Sequence, residues 1–133
     1  TLPVQIASNG EQMLAGHVYL PPGDRHMGVH SEGVISVSND PPMKGLRPAV
    51  RYLFRNIATV YGETALCILL SGMGTDGATE LKILRETGAV TIAQDAESSL
   101  VHGMPGEAIR LGGASLILSP QEIVKEIIEK TKQ

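Results

Sequence analysis

A glycine-rich motif with two acidic residues is the part of this sequence whose residue types and spacing most suggest chemistry. Gly72, Gly74 and Gly77 match the dinucleotide-binding pattern G-x-G-x-x-G, and Asp95 lies 18 residues beyond Gly77, where a ribose-binding acid is expected. Asp76, however, puts a carboxylate where the pyrophosphate would sit, and its repulsion would oppose the helix dipole. Nucleotide binding is therefore the least favoured of the functions considered.

Asp76 itself has two interpretations that spacing alone does not separate. As the N-cap of the following helix, its carboxylate would accept a backbone N–H and contribute about 1 kcal/mol. As the acid of a Ser-His-Asp triad, it would orient a histidine from the top of a core strand, fixed by glycines on both sides. Ser71, Ser98 and Ser99 offer hydroxyls, but none of them lies in a G-x-S-x-G nucleophile elbow.

Other charged and titratable side chains have weaker patterns. Arg47, Arg51 and Arg55 are spaced by four, which predicts one helical ridge that either faces solvent or contacts an anion. His26 is expected to tie down a β-hairpin through polar contacts rather than to act as a base. His102 is expected in a partly exposed loop, either without function or close to the site.

The glycine motif is predicted to lie between a strand and a helix. Residues 65–70 form an apolar run without polar alternation, which is typical of a strand buried on both faces of a parallel sheet. Residues 78–84 continue as a helix, and Gly88 is placed to stop it. A site in this arrangement is expected at the carboxyl end of the strand.

The other segments predict one α/β domain over residues 1–133. The first third is rich in strands and includes a hairpin in which Gly33 takes the turn position with positive φ. The rest alternates strands and helices, which favours parallel crossovers. Ser119 and Glu122 form a capping box around Pro120, which begins a terminal helix with Ile123, Ile127 and Ile128 facing inward. The predicted strands are residues 4–8, 17–20, 27–30, 34–38, 89–94 and 114–118, and further helices begin near residues 48, 103 and 120.

Composition restricts the class of protein further. The chain has 133 residues, 42% of them apolar, and a net charge of −3 without a basic cluster. This suits a small soluble domain and argues against nucleic acid as a partner. One cysteine in a core strand, Cys67, indicates a reducing compartment, and no signal peptide or membrane-spanning run is visible. We expect a cytoplasmic protein without membrane insertion, metal or cofactor.

Several separated motifs together resemble the catalytic domain of the CheB family of chemotaxis receptor methylesterases. The motifs are residues 70–78 (LSGMGTDGA), 91–94 (TIAQ), 103–109 (GMPGEAI), 22–27 (PGDRHM) and 47–48 (RP). They agree with the family in order and spacing across nearly the whole chain. The resemblance implies an α/β, doubly wound, mostly parallel sheet with an antiparallel β-hairpin, a Rossmann-like methylesterase domain lacking its first strands.

The resemblance also implies a function. The family hydrolyses γ-glutamyl methyl esters on chemoreceptors, and deamidates receptor glutamines, through a Ser-His-Asp triad that a phosphorylated receiver domain usually controls. Carried over by motif, the resemblance implies that Asp76 is the triad acid, whose part would be to fix the histidine tautomer. The other implied site residues are Gly72, Met73 and Gly74, which shape the oxyanion region through backbone N–H groups, and His102 and Met104, which are expected nearby.

The sequence also departs from the family pattern. The family nucleophile lies in a Ser-Thr-Gly-Gly turn and its histidine in a Gln-His-Met-Pro turn, and neither turn occurs in these 133 residues. We therefore expect the chain alone to be inactive, and its first residue, Thr1, suggests a piece of a longer product. Arg51 stands where the family pattern has an acidic residue.

The absent turns leave a structural and a functional alternative open. In the family, the same segment supplies a strand that pairs with residues 65–70, so here that edge would be open. The rest of the polypeptide, a second copy of the chain or a rearranged sheet would cover it. The protein is either the acid-bearing part of a methylesterase acting on a methylated chemoreceptor, or a catalytically inactive CheB-like binding or assembly module.

Overall fold

The chain is described by a computed structural model, which covers residues 1–132. These residues divide into two compact units, one comprising residues 1–61 and the other beginning at residue 62. Each unit combines strands with helices. Among the described residues, no helix has both the length and the apolar character that crossing a membrane requires. The prediction of one domain over residues 1–133 stays a prediction.

The first unit contains two small sheets and one α-helix. Its elements are β1 (Val4–Ile6), β2 (Val18–Leu20), β3 (His26–Val29), β4 (Ile35–Ser38) and α1 (Val50–Val60). β1 and β2 pair in parallel, and β3 and β4 form the predicted antiparallel hairpin. Two residues of the hairpin turn adopt the left-handed backbone conformation. Gly33 has a φ of 76°, as predicted, and Glu32 has a φ of 67°, which the sequence did not indicate.

His26 fastens the hairpin, as predicted. Its side chain is fully buried, its Nδ1 accepts the backbone N–H of Ala49 at 3.3 Å, and its Nε2 lies 3.0 Å from the carbonyl oxygen of Pro41. The ring also stacks on Tyr52, with 4.2 Å between ring centroids. Because both ring nitrogens have backbone partners, the histidine is held as a structural element of this unit.

The predicted ridge of three arginines is wrong. α1 begins at Val50, so Arg47 and Pro48, which are joined by a cis peptide bond, precede the helix rather than forming its first turn. Arg47 instead donates from Nε to the carboxylate of Asp24 at 3.0 Å. Arg51 is buried, with 8% of its surface exposed, whereas Arg55 is exposed. A spacing of four produces a ridge only within one continuous helix.

The second unit combines a three-stranded parallel sheet with three α-helices among its described residues. Its elements are β5 (Leu66–Leu69), α2 (Ala78–Glu86), β6 (Val90–Gln94), α3 (Met104–Arg110), β7 (Leu116–Leu118) and α4 (Pro120–Lys130). The strand order is β5-β6-β7, and both pairings are parallel. The predicted strand, glycine loop and helix are confirmed as β5, the loop and α2.

β6 rather than β5 is the fully buried strand. Helices α2, α3 and α4 all contact β6, and its residues 91–94 are buried. In β5, Cys67 and Leu69 are buried, but Leu66 and Ile68 are only half-buried, so the prediction of burial on both faces is wrong for this strand. Among the described residues β5 pairs with β6 alone, which makes it an edge strand. Burial raises the pKa of the Cys67 thiol to about 11.

α4 begins with the predicted capping box. The Ser119 hydroxyl accepts the backbone N–H of Glu122, and the Glu122 carboxylate accepts the backbone N–H of Ser119 at 3.0 Å. Of the three isoleucines predicted to face inward, Ile123 is buried, but Ile127 and Ile128 are 37% and 56% exposed. The inward prediction is therefore wrong for those two residues.

Candidate functional site

Asp76 lies in the loop that follows β5, immediately before α2. Only 6% of its surface is exposed. Gly74 and Gly77 on either side of it have φ values of 88° and 84°, a left-handed conformation that glycine adopts without the strain other residues would carry. Gly77 occupies the N-cap position of α2, so the alternative that Asp76 is the N-cap residue is wrong. The two glycines fix the backbone that holds a buried carboxylate.

The glycine loop, residues 71–77, is joined through its first two residues to a second segment, residues 101–104. The Gly72 N–H donates to the carbonyl oxygen of Val101 at 2.9 Å, and the Gly72 carbonyl oxygen accepts the N–H groups of Gly103 at 3.1 Å and Met104 at 2.9 Å. Gly72 thereby forms a parallel bridge with His102. The structure thus brings the two predicted neighbours, His102 and Met104, against the glycine loop.

Gly103 has no room for a side chain. A Cβ atom at this position would lie 2.7 Å from the carbonyl oxygen of Gly72 and 3.0 Å from both the nitrogen and the oxygen of Gly74. These neighbours are backbone atoms, so they cannot yield as the end of a flexible side chain would. From the other side, the Met104 sulfur lies 2.8 Å from where a Cβ of Gly72 would be. The loop conformation therefore depends on close backbone packing.

The bonds of Gly72 change its predicted part in the oxyanion region. Its N–H is already used by Val101, so it is not available to a substrate oxygen, and Gly72 instead anchors the loop. Met73 is 84% exposed. Its side chain therefore has little contact with the protein, and only its backbone is held by the loop. Within the predicted group of donors, the N–H groups of Met73 and Gly74 remain. Gly103 packs so closely on the Gly74 nitrogen that a Cβ at Gly103 would lie 3.0 Å from it, so the Met73 N–H is the stronger candidate to face a developing negative charge.

Gln94, the last residue of β6, links the glycine loop to the segment that follows β6. Its side-chain oxygen accepts the N–H of Ser71 at 2.7 Å. Its side-chain nitrogen donates to the Ser98 carbonyl oxygen at 3.0 Å and hydroxyl at 3.1 Å. Only 6% of the Gln94 surface is exposed. The Ser71 hydroxyl in turn donates to the Val101 carbonyl oxygen at 3.1 Å, so the two loops are linked by side chains as well as by backbone.

Asp95 is bound into the turn that follows β6. Its carboxylate accepts the backbone N–H of Ser98 at 2.9 Å and also the Ser98 hydroxyl, and these hydrogen bonds hold its pKa below the ordinary value. The carboxylate therefore stabilises its own turn. This local role accounts for Asp95 without a ribose, which weakens the nucleotide interpretation further.

His102 is half-buried and packs against the start of α3. Its Nε2 lies 3.0 Å from the carbonyl oxygen of Gln94, and its Nδ1 would be 2.9 Å from a Cβ at Gly106. The His102 ring can occupy this position only because Gly106 has no side chain. These contacts hold His102 beside the glycine loop and tie the end of β6 to α3.

The described residues also include a cavity that involves none of the predicted site residues. A cavity of about 480 Å³ in the first unit is lined by Asp40, Pro41, Met43, Tyr52, Arg55, Asn56 and Thr59, and none of these is a residue predicted for the site. Residues 1–132 contain no cluster of three or more histidine, cysteine or acidic side chains arranged to hold a metal ion.

Comparison with known proteins identifies the family. The family model described as CheB methylesterase matches residues 1–127 of the chain. The chain belongs to the CheB methylesterase family. The residues matched include the glycine loop, Gln94 and the segment 101–104, so these features lie within the family domain.

Curated members of the CheB family are similar over nearly the whole chain. A protein of Nitrosospira multiformis is 54% identical over 122 residues, which are 92% of this chain and 34% of the relative. A protein of Geobacter metallireducens is 53% identical over 124 residues, which are 92% of this chain and 36% of the relative. Both are named protein-glutamate methylesterase/protein-glutamine glutaminase. The chain thus spans about a third of the length of these relatives.

A solved CheB structure has the same fold. The crystal structure of the Thermotoga maritima CheB methylesterase catalytic domain matches with a TM-score of 0.88 and 31% sequence identity, over 94% of this chain and 68% of that one. The predicted α/β fold, with a parallel sheet and an antiparallel hairpin, is therefore confirmed.

The sequence pointed to the glycine loop but missed the residues that hold it. Gln94 and Gly103 were noted only as parts of longer motifs, and their contacts are with residues 23 to 31 positions away along the chain. One signal was available for Gln94: a polar residue that ends a core strand needs a hydrogen-bond partner. The catalytic roles of Asp76, Met73, His102 and Met104 stay predictions.

Proposed function

We propose that this chain is the acid-bearing part of a protein-glutamate methylesterase that also deamidates glutamine. The observation that carries the proposal is the buried Asp76, held between two left-handed glycines at the carboxyl end of β5. That position is where parallel α/β sheets place their ligands. Membership of the CheB family and the names of the relatives supply the reaction.

The proposed reaction converts a γ-glutamyl methyl ester and water into a glutamate carboxylate and methanol. Asp76 accepts a hydrogen bond from the histidine of the triad, which fixes the tautomer that removes the proton of the serine hydroxyl. The same carboxylate stabilises the imidazolium that forms when the serine attacks the ester carbonyl. The serine and the histidine come from family turns that are not in these 133 residues.

The glycine loop supplies the second part of the proposed site. When the serine attacks, the ester carbonyl oxygen becomes negatively charged, and a preorganised N–H stabilises it without needing to reorient. Met73 is the proposed donor, because the Gly72 N–H is occupied by Val101. His102 and Met104 hold the loop from the neighbouring segment, which places them near the site without contact with the reacting atoms.

The proposed substrate is a methylated chemoreceptor, whose glutamyl esters or glutamines enter the site as side chains of a folded protein. A receiver domain elsewhere in the gene product is the proposed regulator. A second copy of the chain is the alternative partner, since β5 is an edge strand among the described residues and an unpaired edge is a template for strand addition.

The proposal is tested by methanol release from methylated receptor, with the gene product that contains this chain. In Asp76→Asn the side chain keeps its size but no longer orients the histidine correctly, so kcat is expected to fall by about a thousandfold or more. Glu80→Gln is the matched control, because Glu80 is likewise a buried acid, with 4% of its surface exposed, and follows the loop within α2. That variant is expected to keep kcat within about twofold of the parent.

Two results would count against the proposal. An active parent whose Asp76→Asn variant retains full turnover removes Asp76 from the mechanism. A parent that releases neither methanol from esters nor ammonia from glutamines supports the alternative of an inactive binding or assembly module, and sedimentation of the parent would then show whether copies associate.

A further inference from the structure

We propose that Gln94 is a positioning residue for the reaction: its side-chain amide holds the glycine loop in the conformation that presents the Met73 N–H. This inference rests on the proposed function, since Met73 acts there as the oxyanion donor. Gln94 does not touch the reacting atoms. It acts through Ser71, which begins the glycine loop.

The orientation of the Gln94 amide is fixed by its partners. The Ser71 N–H can only donate, so it faces the amide oxygen, at 2.7 Å. The Ser98 carbonyl can only accept, so it faces the amide nitrogen, at 3.0 Å. A single planar group thus satisfies one donor and one acceptor on two different loops. Reversing the amide would oppose two donors at one end and two acceptors at the other.

Burial makes this link rigid. Gln94 is 6% exposed, and a buried amide without its partners is destabilised because water cannot replace them. The backbone of Gln94 is itself held in β6, where it lies opposite Leu118 of β7, and its carbonyl oxygen contacts His102. The Gln94 side chain therefore holds Ser71 at a fixed position relative to β6, the central strand.

The link acts next to the proposed oxyanion donor. Ser71 is held on two sides, by Gln94 through its N–H and by Val101 through its hydroxyl at 3.1 Å. The next residue, Gly72, is held by the backbone of residues 101–104. Met73 follows directly, with its side chain in solvent. The direction of the Met73 N–H is therefore determined by the restraints on the two residues before it.

The alternative is that Gln94 only stabilises the fold, as any buried polar residue of β6 does. Thr91 on the same strand is such a residue: it is fully buried, and its hydroxyl donates to the Gly113 carbonyl oxygen at 2.6 Å. Thr91 is near the start of β6 and its side chain bonds the segment before β7, not the glycine loop. The same hydroxyl accepts the N–H of Ser115 at 3.0 Å. Thr91→Val therefore removes buried hydrogen bonds of the same sheet without changing the restraint on Ser71.

The experiment uses the gene product that contains this chain and compares three variants. Gln94→Met keeps the length of the side chain but removes all three of its hydrogen bonds, and Gln94→Glu keeps an acceptor for Ser71 but loses the donor to Ser98. Gln94→Met is expected to lower kcat by about tenfold to a hundredfold, the range for a misplaced catalytic group, with KM within about threefold. Gln94→Glu is expected to lower kcat as well, because a carboxylate oxygen then faces the Ser98 carbonyl oxygen, and Thr91→Val is expected to lower Tm without changing kcat.

A second readout separates this inference from the proposed function. Amide hydrogen exchange across residues 71–74 is expected to accelerate in Gln94→Met and not in Thr91→Val, whether or not the parent is an esterase. If the parent is inactive but exchange changes in this way, the proposed function fails while the restraint by Gln94 stands. If exchange is unchanged, or if Gln94→Met and Thr91→Val lose kcat equally, the positioning role of Gln94 is overturned.

Discussion

Gly103 shows how a single residue controls the site from outside it. A methyl group there would overlap backbone atoms of Gly72 and Gly74 at 2.7 to 3.0 Å, so one of the two segments must move. Gly103→Ala is expected to destabilise the protein by about 1 to 3 kcal/mol, as overpacking does. It is also expected to reduce kcat, because the shift falls on the loop that carries Met73.

Gly23→Ala is the matched control for Gly103→Ala. No atom lies within 4 Å of a Cβ at Gly23, and its φ is not in the left-handed region. The variant is expected to change neither Tm nor kcat by a measurable amount. Thermal unfolding and methanol release of both variants check the prediction, and a Gly103→Ala protein with parental Tm and kcat would contradict it.

At the scale of elements, the stability of the first turn of α4 is expected to depend on pH. The backbone N–H and hydroxyl of Ser119 hold the pKa of the Glu122 carboxyl below its ordinary value of 4.5. A depressed native pKa means that this stabilisation is complete above pH 4.5 and is lost as the pH falls through the lower native value. The first turn of α4 is therefore expected to lose its capping contribution below pH 4.5.

Glu122→Gln tests this expectation, because the amide oxygen can still accept a hydrogen bond but does not ionise. The difference in Tm between the parent and Glu122→Gln is expected to narrow as the pH is lowered from 6 towards the acidic range, about 3 at the lowest. Exchange of the α4 amides measures the same effect locally. A constant difference across this range would show that the Glu122 charge does not contribute.

Elements with local signals were predicted correctly, and those that depend on distant residues were not. The capping box of α4, the Gly33 turn and the glycine loop each rest on neighbouring residues, which fix local backbone conformation. The start of α1 was misplaced because Pro48 is acceptable in a first helical turn, but Arg47 bonds Asp24 instead. Burial in β5 was overestimated because hydrophobic runs do not reveal whether a strand lies at a sheet edge.

At the scale of the whole molecule, these 133 residues are expected to be insufficient for catalysis. Neither the Ser-Thr-Gly-Gly nor the Gln-His-Met-Pro turn of the family is present, and a triad without its nucleophile and base retains only a small residual acceleration. The isolated chain is expected to release methanol no faster than buffer, whereas the proposed function requires that the gene product containing it release methanol from methylated receptor. Turnover by the isolated chain would require a different nucleophile, which Ser71→Ala would then test.

The candidate site was predictable from the sequence only in part, because some of its contacts join segments that are far apart along the chain. Asp76 and its glycines are consecutive in sequence, so their association with a strand end was visible without a structure. The restraints on them come from Gln94 and from residues 101–104, which reach the loop only because β5 and β6 are parallel neighbours. Strand order and register are set by the packed sheet as a whole, which no single segment encodes.

The bridge between Gly72 and His102 also constrains how the sequences of this family can change in length. One residue inserted between 71 and 72 changes the register of the bridge with residues 101–104, unless the partner segment gains a residue too. Within the turn after β6, Ser98 must keep its distance from Gln94 and Asp95 to make its hydrogen bonds, whereas Leu100 is 94% exposed. Across relatives, we expect gaps to accumulate around Leu100, while the two paired segments keep constant lengths or change together.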